Sequence, residues 1–114
     1  MSCKFQIGDE RPWEPAGLGI KRQVMGYDGR LMLVKVAFEQ GAVGTLHTHA
    51  HSQASYVVSG CFELSVNNEK RVLRPGDGFY VEPDAPHECL CLEAGLLIDA
   101  FSPARLDFIN DNKE

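Results

Sequence analysis

The chain has 114 residues, 44% hydrophobic and 24% charged, a size and composition that suit one globular domain with its own core. Its formal net charge of −5 disfavours a nucleic-acid partner, because such a partner requires a surface that neutralises phosphates. No apolar run has membrane-spanning length and the first ten residues lack the apolar stretch of a signal peptide, so the sequence predicts a cytoplasmic protein without a membrane partner.

Short strand-like runs separated by turn signals fill most of the chain. Prolines and glycines punctuate residues 1–18, which predicts an irregular N-terminal arm. Residues 19–26 and 31–39 then flank the dipeptide Asp28-Gly29, a pattern typical of a β-hairpin. Further turns are predicted at Ser59-Gly60, at Asn67-Asn68, at residues 74–78 and at residues 93–95.

Helical periodicity is absent before Ala104, and residues 104–114 predict a C-terminal tail with one helical turn. About nine short strands are expected in total. Their number and spacing predict a single all-β domain over residues 1–114, built as a closed antiparallel barrel or jelly roll.

Three histidines stand at alternate positions within residues 41–60, at His47, His49 and His51. Because alternate side chains of a strand point to one face, His47 and His49 can aim both imidazoles at a common point. A fourth histidine, His87, follows a proline-containing turn at the expected start of another strand. Imidazoles that converge with an amide or carboxylate oxygen make a site for a divalent metal ion.

The spacing of these residues resembles the two sequence motifs of the cupin superfamily. The first motif reads Gly41-x5-His47-x-His49-x3-Gln53-x6-Gly60, with Gln53 in place of the usual glutamate. The second reads Gly76-x5-Glu82-x-Asp84-x2-His87, with Glu82 and Asp84 in place of the usual proline and glycine. The resemblance implies the cupin double-stranded β-helix, with one metal ion held inside the barrel by His47, His49, Gln53 and His87.

A narrower resemblance covers nearly the whole chain. It is to the small single-domain cupins of uronate catabolism, the KdgF-like family, and it is carried by residues 12–14 (PWE), 19–22 (GIKR), 47–53 (HTHAHSQ) and 97–108 (LIDAFSPARLDF). Members of this family convert 4,5-unsaturated uronate monomers, released from pectin or alginate, to the linear keto form. The resemblance therefore implies an isomerase-type enzyme with a small sugar acid as substrate, and it implies that Asp99, Phe101 and Arg105 line the site.

The chemistry of that substrate suits these residue types. Opening a cyclic hemiacetal whose ring oxygen sits on a carbon–carbon double bond releases an enol, and protonation of the neighbouring carbon gives the ketone. Four neutral ligands would leave a divalent ion (Ni, Zn, Mn or Fe) its full charge for an enolate-like state. Asp99 is expected to act as general acid/base and Arg105 to clamp the substrate carboxylate bidentately, while Phe101 walls the sugar.

Several assignments have alternatives. His51 is expected at the rim of the site rather than among the ligands. Cys89 and Cys91 share the strand face of His87, so they are either small core residues or neighbours of the metal with one thiolate ligand. Asp99 is alternatively an outward polar residue of an alternating strand, and Arg105 a surface charge paired with a nearby acid.

Two other functions fit the same motifs. One is a cupin dioxygenase, which needs a redox-active metal with open positions for oxygen. The other is a non-catalytic module that binds a sugar or a metal. The resemblance to small cupins also implies a homodimer.

Overall fold

Strands account for most of the computed structural model, which describes residues 4–109. The strands are β1 Glu14–Gly17, β2 Ile20–Tyr27, β3 Met32–Phe38, β4 Val43–His47, β5 Ser52–Val66, β6 Glu69–Leu73, β7 Gly78–Val81 and β8 His87–Ser102. Two single 3-10 turns, Gly8–Glu10 and Leu106–Phe108, are the only helical elements in this part of the chain. The all-β prediction is confirmed. Within residues 4–109 no helix has the length and hydropathy to cross a membrane.

The two longest strands, β5 and β8, organise the sheet. They pair antiparallel from Ser52 opposite Ser102 to Val66 opposite His87. Along the first half of β5 the sheet continues through β7 on one side and through the end of β8, β3, β2 and β1 on the other. Along the second half of β5 it continues through β6 and through the start of β8 to β4.

The sheet curls back on itself to enclose a core. Phe38 on β3 and Phe62 on β5 belong to strands that are not paired, yet their ring centroids lie 5.1 Å apart in an edge-to-face contact. This contact joins the two halves of the sheet, and further apolar side chains from both halves pack around it. A second apolar cluster, around Met32 and Phe101, lies under the C-terminal tail. The result is the predicted jelly-roll barrel, with eight strands in residues 4–109 where about nine were predicted.

Glycines let the long strands bend. Gly60 in β5 has a φ of +85°, and a Cβ there would lie 2.6 Å from the Cα of Gly95 in β8. A Cβ on Gly95 would in turn overlap the carbonyl oxygen of Ser59. The predicted turn at Ser59-Gly60 and the predicted break at residues 93–95 are therefore wrong. Both are irregularities in continuous strands, where the pairing register shifts.

The chain ends differ in part from prediction. The arm predicted to be irregular over residues 1–18 contains a 3-10 turn and strand β1, which pairs with β2, so that prediction is wrong for residues 14–17. Buried Gln23 holds the arm, because its Nε2 donates to the carbonyl oxygens of Gly8 at 2.8 Å and Arg11 at 3.0 Å. The helical turn predicted in the tail is present at Leu106–Phe108. Residues 1–3, with Cys3, and 110–114 lie outside the described residues.

Candidate metal centre and active site

Three histidines meet at one end of the barrel. His47 is the last residue of β4 and His87 the first of β8, and the two are cross-strand partners with ring centroids 4.1 Å apart. His49 lies beyond the end of β4, in the connection to β5, so the prediction that it alternates with His47 along one strand is wrong. The connection nevertheless places its ring centroid 4.8 Å from that of His87. One ring nitrogen from each of the three lies within 4.8 Å of the other two. The structure thus brings together the three histidines that the sequence proposed as ligands.

Hydrogen bonds fix the tautomer of all three rings. The Nδ1 atoms of His47, His49 and His87 lie 2.7, 3.0 and 2.9 Å from a backbone carbonyl oxygen two residues away. A carbonyl only accepts, so in the neutral imidazole each Nδ1 carries the proton and each Nε2 keeps a lone pair for a ligand. The Nε2 of His87 is buried and has no hydrogen-bond partner within residues 4–109.

Burial also keeps His87 neutral. Desolvation lowers the pKa of His87 to about 4, and the nearby His47, His49 and Arg105 act in the same direction. The hydrogen bond to the Ala85 carbonyl opposes this shift without cancelling it. At neutral pH the ring is therefore unprotonated, which is the form that binds a metal ion.

Gln53 completes the cluster with an amide oxygen. Its Oε1 lies 2.9 Å from the Nε2 of His49, and its Nε2 donates to the hydroxyl of Ser55 at 2.9 Å. Two lone-pair atoms, Oε1 and the Nε2 of His49, therefore face each other at short range. A cation held by Gln53, His49 and His87 would remove that repulsion. Three imidazoles and one amide oxygen fit a divalent transition-metal ion.

A cavity of about 130 Å³ adjoins the cluster. Asp99 on β8 points into it from the inner face of the sheet and is only 8% exposed, so it is not the outward polar residue of the alternative. Burial raises the pKa of Asp99 to about 6, although the hydrogen bond from Ser55 and the charge of Arg105 pull it down. A carboxyl group with this pKa exchanges protons readily near neutral pH.

Arg105 lines the same cavity from the C-terminal tail. Its Nε and Nη2 donate to the two carboxylate oxygens of Asp107 at 3.0 and 2.8 Å, so one bidentate edge of the guanidinium is taken by its neighbour in sequence. The central carbon of the guanidinium, Cζ, lies 5.2 Å from the ring centroid of Phe101 and 4.3 Å from that of Phe108. The second edge, Nη1 with the other hydrogen of Nη2, is not used by Asp107.

Aromatic rings line the cavity beside these polar groups. Phe101, buried on β8, makes edge-to-face contacts with His49 and Phe108, at centroid distances of 5.9 and 5.7 Å. Phe108 lies in turn under the guanidinium of Arg22, 3.9 Å from its ring centroid. The tail is therefore held against the barrel by edge-to-face ring contacts and by guanidinium groups that lie over the ring of Phe108.

The remaining candidates lie beside the cluster rather than in it. His51 packs against Phe101 with ring centroids 6.5 Å apart, and burial together with Arg105 lowers its pKa. Cys89 lines the cavity, where burial raises the pKa of its thiol to about 12, and it is not among the three residues whose ligand atoms converge within 4.8 Å of one another. Cys91 is a core residue whose Sγ donates to the Glu93 carbonyl at 3.1 Å.

Ser55, Asp107 and Phe108 are site residues that sequence reasoning missed. Ser55 shares a strand face with Gln53, two residues earlier, and this period of two is the signal that points to it. Asp107 and Phe108 carry no signal of their own, because their contacts depend on how the tail folds over the barrel.

Known proteins share this sequence pattern and this architecture. Residues 34–95 match the profile of the cupin domain. The chain is 44% identical over 108 residues to the pectin degradation protein KdgF of Dickeya dadantii (strain 3937), covering 93% of this chain and 98% of that protein. An RmlC-like cupin from Shewanella frigidimarina NCIMB 400 is 47% identical with a TM-score of 0.92, covering 94% and 96% of the two chains. KdgF from Halomonas sp. is 42% identical with a TM-score of 0.89, covering 94% and 99%.

Proposed function

The chain belongs to the cupin family, in the group of the pectin degradation protein KdgF, and we propose that it is an isomerase of unsaturated uronates. It converts 4,5-unsaturated uronate monosaccharides from pectin or alginate breakdown from the ring form to the linear keto form. The observation that carries this proposal is a single cavity lined by two of the three clustered histidines, by a buried carboxylate and by a guanidinium.

His47, His49, Gln53 and His87 would hold one divalent metal ion. When bound, such an ion supplies a positive charge beside the oxygen on which negative charge develops. The ligand set contains no anionic residue, so this charge is not neutralised by the protein. The same four residues suit Ni, Zn, Mn and Fe(II).

Asp99 moves the proton. The reaction removes a proton from the anomeric hydroxyl, breaks the bond between the anomeric carbon and the ring oxygen, and adds a proton to the ring carbon next to the enol. No net proton is consumed, so one carboxyl group can serve as base and then as acid. A pKa of about 6 keeps both forms of Asp99 available near neutral pH.

Arg105 and Phe101 bind the substrate in this proposal. The edge of the guanidinium not used by Asp107 takes the uronate carboxylate in two parallel hydrogen bonds. The ring of Phe101 packs beside the histidines and forms an apolar wall next to the sugar. Binding through the carboxylate selects uronates over neutral sugars.

The test follows the double-bond absorbance of monomer released by a pectate or alginate lyase. We expect the metal-loaded protein to accelerate its loss over buffer, and Asp99→Asn to reduce that acceleration by at least about 100-fold. The exposed Asp9→Asn serves as the matched control and should turn over like the wild type. No acceleration by the wild type would refute the proposal. Oxygen uptake without isomerisation would indicate a dioxygenase, and binding without turnover a non-catalytic module.

We also propose that two copies associate through the outer face of the sheet. Leu33, Tyr56, Val58 and Tyr80 point outward from β3, β5 and β7 and are exposed. The alternation that turns Val34, Ser55, Val57 and Val81 inward places these four side chains on one outer surface. Sedimentation equilibrium should show a dimer that Tyr56→Lys with Tyr80→Lys dissociates, while Leu106→Lys, also at an exposed position, leaves it intact. A monomeric wild type would refute this.

A cytoplasmic location is part of the proposal as well. It is supported by Cys61, Cys89 and Cys91, which are all free thiols, as is usual in a reducing compartment.

A further inference from the structure

Ser55 joins the candidate metal ligands to the candidate proton-transfer group. Its hydroxyl accepts from the Nε2 of Gln53 at 2.9 Å and donates to the Oδ1 of Asp99 at 2.6 Å. We propose that Ser55 is a positioning residue, which orients the amide of Gln53 for metal binding and at the same time holds the carboxylate of Asp99. The second half of this inference rests on the proposed function, and the first half does not.

The direction of the two hydrogen bonds follows from the groups involved. A hydroxyl has one proton, and the short bond to Asp99 is typical of a hydroxyl that donates to a carboxylate. Ser55 can then only accept from Gln53, so the NH₂ group of the amide must face Ser55. The amide oxygen is left facing His49, 2.9 Å from its Nε2.

Without this hydroxyl the amide has a competing orientation. A flipped Gln53 would point its NH₂ group at the Nε2 of His49 and form an ordinary hydrogen bond there. That bond would occupy the lone pair of His49 and remove the oxygen of Gln53, two of the four donors for the metal ion. Ser55 is thus expected to act on metal affinity without touching the ion.

The backbone keeps this arrangement rigid. Ser55 and Asp99 are cross-strand partners in the β5–β8 ladder, and Gln53 lies two residues earlier on the same face of β5. Ser55 is 7% exposed, so bulk water does not readily replace its hydroxyl. A positioning residue on a buried strand constrains its neighbours more tightly than one on a loop.

Metal affinity of the metal-free protein tests the first half. We would titrate Zn²⁺ in competition with a chromogenic chelator, without substrate. Ser55→Ala should weaken Zn²⁺ binding by roughly 10- to 100-fold, the range seen when a residue that orients a ligand is removed. The control is Ser65→Ala, on the same strand and 9% exposed but outside the cavity, which should bind Zn²⁺ within about twofold of the wild type. Equal affinity of Ser55→Ala and wild type, or equal losses in both variants, would overturn the inference.

A double-mutant cycle shows whether Ser55 acts through Gln53. In the Gln53→Ala background, Ser55→Ala should cause no further loss of Zn²⁺ affinity, whereas a full additional loss would overturn the inference. Thermal unfolding in chelator checks that each variant folds. If Ser55→Ala does not fold, Ser55→Cys replaces it, since a thiol has similar size but is a weak donor and acceptor.

Asp99→Asn separates positioning from proton transfer. The Asn oxygen can still accept from Ser55, so Zn²⁺ affinity should stay within about threefold of wild type while turnover is lost. In Ser55→Ala, a loss of kcat measured at saturating Zn²⁺ then shows that Ser55 positions the carboxylate of Asp99. An unchanged kcat would overturn this second half of the inference. A wild type that does not turn over unsaturated uronates would refute the proposed function and leave the affinity result standing.

Discussion

Asp99 is ionisable but almost completely buried, and the loss of hydration destabilises its ionised form. Its pKa rises from 3.8 to about 6 because desolvation outweighs the hydrogen bond from Ser55 and the charge of Arg105. Between these two pH values the folded protein holds a proton that the unfolded chain has released. Stability contributed by protonated Asp99 is therefore fully present below about pH 4 and is lost as the pH rises through 6.

This gives a pH signature for Asp99→Asn. Relative to wild type, we expect the variant to gain stability between pH 4 and 7.5, by up to roughly 3 kcal/mol in metal-free protein. Urea unfolding in chelator at several pH values measures this. His87, whose pKa is lowered, contributes a trend of opposite sign, but it is present in both proteins and cancels in the difference. A difference in stability that does not change with pH would contradict the raised pKa.

Arg105 is held by Asp107 and by two rings, so it presents a fixed edge rather than a flexible charge. Arg105→Lys keeps the positive charge but loses the planar guanidinium, which can donate two parallel hydrogen bonds to a carboxylate. We expect KM for the unsaturated uronate to rise by roughly 10- to 100-fold, with a smaller change in kcat, because a bidentate charge-assisted contact is lost.

Arg22→Lys is the matched control for this steady-state measurement. Arg22 also lies over the ring of Phe108 and pairs with Glu14 at 3.3 Å, and it does not line the cavity. Its replacement should change KM by no more than about twofold. Equal increases in KM for both variants would show that the guanidinium contacts with Phe108 govern substrate binding, and that the bidentate contact of Arg105 with the carboxylate does not.

At the scale of elements, the fold depends on the bend that β5 and β8 share. Gly95→Ala would place a methyl group on the carbonyl oxygen of Ser59, which lies in backbone that cannot yield without breaking the ladder. We expect a loss of about 3 kcal/mol or more in unfolding free energy, measured in urea. Gly29→Ala, in the β2–β3 turn with no atom within 4 Å of the added Cβ, should stay within about 1 kcal/mol of wild type. Similar losses in both would refute this role of the bend.

The same bend shows why element boundaries were harder to predict than element type. A glycine signals backbone freedom, and this freedom serves a turn and a strand irregularity equally well. At Asp28-Gly29 the side chain of Asp28 accepts from the N–H groups of Arg30 and Leu31, so the local sequence alone closes the hairpin. At Gly60 the reason for glycine is the backbone of Gly95, 35 positions later, and no local pattern contains it.

At the scale of the whole molecule, some features of the site follow from local sequence and others depend on contacts between distant parts of the chain. The spacing of His47 and His49 is local, and the motif around His87 is local too, so the cluster was predictable from sequence. The link from Gln53 through Ser55 to Asp99 needs the register of β5 against β8, which only the folded chain supplies. The pairing of Arg105 with Asp107 was foreseen only as an alternative, since either a substrate or a neighbour can satisfy a guanidinium.

The cluster ties together distant parts of the chain, and this determines what removing a metal ion should do. His47 ends β4, Gln53 lies in β5 and His87 begins β8, so an ion bound by them binds only the folded state. At a free Zn²⁺ concentration 100 times Kd, the folded state should gain about 2.7 kcal/mol over protein in chelator. For a domain of this size that corresponds to a rise in Tm of roughly 10 °C in a thermal melt. His87→Ala should abolish the rise, while His51→Ala, at the rim of the cluster, should keep it. The same Tm for wild type with Zn²⁺ and with chelator would mean that the three imidazoles meet without holding an ion.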